Sequence, residues 1–211
     1  MVITYHGLDF FKLGWGDTTI AFNPVSKSSE HKSSSFGADM AIVSLNDEDF
    51  NGWSTLARGD KKPFVIDGPG EYEYKGIFVQ GFPSYSNYKK QKRINTFYNV
   101  TIEDMVVTFL GVPEITELKE HLNVSDVETD ILFIPIGGNG VLEADEASKL
   151  AVSLQPKIII PMHYGFDNNK SSLRTFLKEF GGDSVKPVDK LTIKRKDLID
   201  KEGEVVVLSQ G

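Results

Sequence analysis

The sequence contains no cysteine. That excludes disulfides, thiolate-bound zinc and cysteine nucleophiles, and it fits a reducing cytoplasm, the compartment expected for this chain. Histidine is almost as scarce. There are four, His6, His31, His121 and His163, and no two of them form a His-x-His or His-x-x-x-His pair. No basic segment leads into a long apolar run at the start, so no signal peptide is expected. The longest apolar run, around IIIPM at 158–162, is far too short to cross a bilayer. Cations are outnumbered, 23 Lys and Arg against 30 Asp and Glu, for a net charge of −7. Phosphate backbones need clustered cations, so nucleic acid is not the expected partner.

The hydrophobic share, 40%, is enough for a sizeable core, and the pattern along the chain says how it is arranged. VITYH, DFFKLGWG and TTIAFNP alternate as strands do. Residues 26–35, SKSSEHKSSS, are polar and Ser-rich and predict a surface loop. DMAIVSL at 39–45 is a short continuous apolar run, as in a strand buried on both faces. Two more strands are expected around the Gly-Pro-Gly turn at 68–70, and SNYKKQKRIN reads as a solvated basic hairpin tip. TFYNVTIEDMVVTFLG predicts a strand pair.

From there the period changes. EITELKEHL predicts a short helix, DILFIPIGG a buried strand and EADEASKLAVSLQ a helix whose acidic first turn suits the dipole. PKIIIPMHY predicts another buried strand. SSLRTFLKEFGG is expected to be a helix with a Ser cap and a Gly-Gly stop, and KLTIKRKDLI and EVVVLS close the chain as strands. No linker or repeat divides the sequence, so a single domain over 1–211 is expected.

The piece DILFIPIGGNGVLEADEASKLAVSLQPKIIIPMHYG is the most specific. It resembles the C-terminal half of the metallo-β-lactamase superfamily, in the branch of L-ascorbate-6-phosphate-lactonase-like and other Zn-dependent hydrolases. There a strand ends in Pro-Ile-Gly-Gly (135–138), a helix follows (143–155), and the next strand ends Ile-Pro-Met-His-Tyr (160–164). ITYHGLDFFKL, TTIAFNP, GADMAIVSLNDEDFNG, GPGEYEYKGIFVQGFP and RINTFYNVTIEDMVVTFLG fall in the family's order before it. The resemblance covers about residues 2–165 and implies an α/β fold, an αββα sandwich.

It also implies a chemistry and a ligand set. One or two zinc ions, held by His and carboxylates, acidify a bound water and polarise the bond it attacks. The four ligand positions of the family's His-x-His-x-Asp-His loop fall here at Leu45, Asp47, Asp49 and Phe50. The lone His falls near Ser86, the bridging Asp at Val112, and the last His is His163. The family's Gly-His is Gly7-Leu8 and its Asp-Pro is Asn23-Pro24. Asp49 and His163 match, Asp47 offers a carboxylate in place of an imidazole, and Leu45, Phe50 and Val112 cannot bind a metal. Two readings stay open. Asp49 and His163 are a hydrogen-bonded remnant in a protein that binds a ligand or partner without a metal. Alternatively, Asp47, Asp49 and His163 hold one weakly bound Zn, Mn or Mg ion in a hydrolase of a small phosphoester, lactone or similar substrate.

The remaining candidates read more simply. Glu71 and Glu73 suit an exposed strand edge better than a general base. The glycines at 137–140 suit a close backbone turn better than an anion cradle, given Glu143, Asp145 and Glu146 just beyond. Ser84 and Ser86 lack the Gly-x-Ser-x-Gly elbow of serine hydrolases. The expected partner is a small molecule or a protein, and association of identical copies is compatible with the sequence.

Overall fold

The computed structural model describes residues 1–114, 118, 128–165, 171–182 and 185–211. The helix expected at 114–122 therefore lies almost entirely outside the described residues. The first sheet runs in the order β12-β1-β2-β3-β4-β5, with β1 Val2–Tyr5, β2 Phe11–Trp15, β3 Thr18–Phe22, β4 Met40–Ile42, β5 Phe64–Ile66 and β12 Leu191–Thr192. The second runs β13-β11-β10-β9-β8-β7-β6, with β6 Gly70–Tyr74, β7 Ile77–Ser86, β8 Arg93–Ile102, β9 Met105–Phe109, β10 Ile131–Pro135, β11 Ile158–Met162 and β13 Glu204–Val205.

The two sheets face each other, and the anticipated sandwich is the architecture found. Their inner faces meet in one core containing Phe11, Leu13 and Phe22 from the first sheet and Val107, Phe109, Phe133 and Ile160 from the second. Phe11 meets Phe133 edge-on at 4.7 Å, and Phe22 lies 5.0 Å from Phe109. Each such fully buried ring contributes roughly 2–3 kcal/mol. β4, β10 and β11 are buried at every position because each has parallel neighbours and a covered outer face.

Two helices, α1 Ala144–Leu154 and α2 Ser172–Glu179, cover the second sheet. Ala147, Leu150 and Ala151 of α1 and Phe176 of α2 pack on Leu132, Ile134 and Ile159. The α1 start is fixed by the Glu143 N–H donating to Glu146 Oε2, 3.2 Å. Ser171 stands at the head of α2, but its side chain makes no capping bond, while the Gly-Gly stop behaves as expected, with the Gly182 N–H reaching the Leu177 carbonyl at 3.1 Å. Over the first sheet the described cover is the single 3-10 turn Trp53–Leu56 with loop residues, around Phe10, Ala21, Ala41 and Leu56.

The turn expected at 68–70 has strands on both sides, β5 and β6, and Gly68-Pro69 carries the chain from the edge of one sheet to the edge of the other. A second turn, at Lys75-Gly76, both left-handed with φ 53° and 79°, closes the β6–β7 hairpin, which matches the strand twist. One local expectation is corrected. The strand expected over 190–199 is only Leu191–Thr192. Beyond it the chain folds into a 3-10 turn, Arg195–Leu198, because the Lys194 N–H bonds Asp197 Oδ2 at 2.9 Å while Ile193 and Leu198 turn into the core.

Candidate functional site

Asn23 follows β3, the 44–52 loop follows β4, Val112 follows β9, Gly137 follows β10 and His163 follows β11. All lie beyond the carboxyl ends of parallel strands, where α/β sheets present their loops. Backbone constraints bring them close. Gly137 tolerates no side chain, since a Cβ there would lie 2.0 Å from the His163 carbonyl oxygen. Gly111, at φ 66°, lets the chain pass against Ser44. Asn23 spans to the next loop, accepting from the Ser44 N–H and donating to Ser44 Oγ, both at 2.8 Å.

Three of the positions where the resemblance expects metal ligands have a common fate. Leu45, Phe50 and Val112 pack with Leu8, Tyr88 and Val141 in one buried cluster. Phe50 stacks edge-on against Tyr88 at 4.9 Å, and both rings lie beside the His163 imidazole, at 6.1 and 5.7 Å. Ser86 is buried and accepts the Tyr88 N–H at 3.1 Å. Ser84 is held by Asn95, so neither serine is set up as a nucleophile. Asn95 also accepts the Val112 N–H at 3.0 Å. Glu71 and Glu73 are exposed on β6.

The direct bond expected between Asp49 and His163 is replaced by two separate arrangements. His163, left-handed at φ 56° and 8% exposed, sets its Nδ1 2.9 Å from Asp9 Oδ2. Asp9 is fully buried and its Oδ1 has no partner. Burial pushes this carboxyl above its ordinary value, and the neighbouring imidazole offsets only part of that. Asp49 is held from three sides. Ser29 Oγ donates to Oδ1 at 2.5 Å, and Tyr88 Oη and Lys89 Nζ reach Oδ2 at 3.0 and 2.7 Å. Burial raises the Asp49 carboxyl, yet Lys89, Ser29 and Tyr88 together outweigh it and hold the group below the usual range. Asp47 takes Lys89 Nζ on Oδ1 at 3.0 Å and Arg93 Nη1 on Oδ2 at 2.8 Å.

The basic tip between β7 and β8 is thus only partly solvated. Tyr88 is buried, and Lys89 and Arg93 turn back onto the acidic loop, while Lys90 and Lys92 remain exposed. Asp9 and Ser29 were not singled out by sequence reasoning, and Tyr88, Lys89 and Arg93 drew notice only as part of a basic run with tyrosines that could touch nucleic acid, not as neighbours of the acidic loop. The one available signal was a loop with two aspartates and a single dense basic run at the same end of the strands. What remains open is a cleft of about 360 Å³ lined by Glu30, His31, Glu48, Asp49, Tyr88, Lys89 and Asn139.

This donor set does not fit a two-zinc centre. Three ligand positions are buried hydrocarbon or phenyl, and the oxygens of Asp47 and Asp49 are all taken by cations, hydroxyls or backbone N–H groups. Among the described residues no group of three or more His, Asp or Glu is disposed to hold a metal ion. One feature does suit a metal: a carboxylate on the far nitrogen of an imidazole, as Asp9 sits on His163, is how metal-binding histidines are oriented.

Comparison with known proteins adds to this geometry. Residues 2–163 match the family model described as a beta-lactamase superfamily domain. A metal-dependent hydrolase of Listeria monocytogenes is 25% identical over 195 residues, covering 78% of this chain and 85% of that protein. Among solved structures, one described as a Zn-dependent hydrolase of the metallo-β-lactamase superfamily from Thermotoga maritima is similar with a TM-score of 0.71 and 26% identity, covering 98% of this chain and 97% of that one. Igni18, described as a metallo hydrolase from Ignicoccus hospitalis, shares the fold with a TM-score of 0.68 at 17% identity, over 100% and 95% of the two chains.

Proposed function

Because the chain belongs to the metallo-β-lactamase superfamily, we propose that it is a member in which side-chain packing has replaced the two-metal centre, and that it acts by binding a small polar ligand or a protein partner at the old cleft. The observation that carries this reading is the buried cluster of Leu8, Leu45, Phe50, Tyr88, Val112 and Val141. Taking such residues out of contact costs about 2–5 kcal/mol for each large side chain. The closed site therefore stabilises the fold and cannot open for a metal without losing that packing. The remaining cleft, about 360 Å³ with carboxylates at Glu30, Glu48 and Asp49 beside Lys89, suits a small polar molecule.

Elemental analysis of protein purified without chelator tests the reading. Well under one zinc, manganese or iron per chain is expected, and esterase, lactonase and phosphodiesterase substrates should stay intact with added Mn²⁺ or Zn²⁺. A stoichiometric metal that disappears in His163→Ala would overturn it. The second reading, a hydrolase working with one metal near Asp47, Asp49 and His163, is favoured by the Asp9–His163 pair and by the names of the relatives. Metal-dependent turnover lost in Asp9→Asn would support that reading instead.

A further inference from the structure

We infer that Lys89 is a tethered replacement for the metal cation: its ammonium sits among Asp47, Glu48 and Asp49 and cross-links the acidic loop to the β7–β8 tip. The inference rests on the reading above and adds an agent to it. Lys89 Nζ is 2.7 Å from Asp49 Oδ2, 3.0 Å from Asp47 Oδ1 and 3.7 Å from Glu48 Oε1. An ammonium has three N–H donors and no acceptor, so it can serve three oxygens at once. Asp49 is one of the two ligand positions that still match the family, and a positive charge still faces it.

The two buried carboxylates are balanced at this point. Arg93 Nη1 takes the other oxygen of Asp47 at 2.8 Å and the Asn46 carbonyl at 3.1 Å, so Asp47 and Asp49 face two cations while Glu48 stays at the exposed rim. A divalent ion here would have to displace Lys89 and then sit beside Arg93. The backbone supports the same conclusion. Lys89 and Lys90 are both left-handed, at φ 55° and 58°, a conformation that side chains other than glycine adopt at a cost. That cost is tolerated where neighbouring contacts fix the chain. Here Tyr88 fixes one side through its hydroxyl on Asp49, and Lys89 lies over the Tyr88 ring at 5.5 Å. A cation supplied by the chain is always present and no chelator can remove it.

The test replaces Lys89 with Met, which keeps the length of the side chain and removes the charge. The thermal midpoint of the full chain is measured with EDTA and with MnCl₂. The wild type should respond to neither. K89M should melt several degrees lower, and Mn²⁺ should raise its midpoint saturably, since the freed oxygens suit such an ion. The Mn²⁺ response should vanish in K89M/D49N, and K89R should match the wild type. A K89M protein that melts like the wild type, or that ignores Mn²⁺, overturns the inference while leaving the metal-free reading intact. A wild type that binds Mn²⁺ or Zn²⁺ stoichiometrically overturns the metal-free reading itself. Should K89M be recovered only unfolded, NMR of the wild-type lysine ammonium decides: a slowly exchanging Nζ signal assigned to Lys89 supports the inference, and free exchange overturns it.

Discussion

His6 illustrates how a single side chain on this scaffold couples folding to pH. Its ring lies 5.2 Å from Phe10 and 4.9 Å from Phe36, with Nδ1 2.5 Å from Ser34 Oγ and Nε2 3.1 Å from Thr4 Oγ1. Burial, then the Lys12 charge, lowers its pKa from 6.5 to about 4. A depressed folded-state pKa means that the unfolded chain takes up the proton first. The contribution of His6 to stability is therefore full above pH 6.5 and lost as pH falls towards 4. Urea denaturation across that window should show stability declining, and His6→Asn should flatten the decline. At the same scale, Phe50→Ala should cost about 3–5 kcal/mol. Phe50→His, although it restores an imidazole, should also destabilise and bind no zinc, because Leu45 and Val112 remain. Denaturation with metal analysis checks both. Leu45, Phe50, Val112 and His163 were legible in the sequence because a motif assigns them positions. Asp9 was not, because its role depends on an imidazole 154 residues away.

Among the elements, those with a self-contained signal were legible. β10 and β11 are unbroken apolar runs, and α1 and α2 have a helical apolar face and a recognisable acidic start or Gly-Gly stop. The Gly-Pro-Gly turn at 68–70 was legible, but only sheet pairing says that it joins the two sheets while Lys75-Gly76 closes the hairpin. Lys89 and Arg93 were read as solvated because charge runs usually are; only the fold brings the acidic loop beneath them. Asp130 shows how elements are tied. Its carboxylate accepts from the Val106 N–H at 2.8 Å and from Lys157 Nζ at 2.6 Å, while its carbonyl accepts from the Lys157 and Ile158 N–H groups. It thus joins β9, β10 and β11 at their amino-terminal ends. Asp130→Ala keeps the backbone bonds and should cost about 1–3 kcal/mol by leaving the Val106 N–H and Lys157 Nζ without their carboxylate, measurable as a lower denaturation midpoint with the rest of the fold intact.

For the whole molecule, the two sheets keep the support of the fold apart from the loops that line the candidate site. The inter-sheet core around Phe11, Phe22, Phe109 and Phe133 is separate from the cluster that fills the cleft, so changes at the loop ends leave the sandwich standing. Among the described residues no helix is long and apolar enough to cross a membrane. The first sheet has a further consequence, for the order of events in folding. Its strand β1 is paired on one side with β2 and on the other with β12, and the Met1 amine reaches the Ile193 carbonyl at 2.7 Å across 192 residues. During synthesis β1 must wait for β12, a partner made far later in the chain. A nascent chain stalled before residue 190 should keep its first strand open to protease, and the released chain should refold more slowly than a helical bundle of its size, because its closing step is a distant pairing.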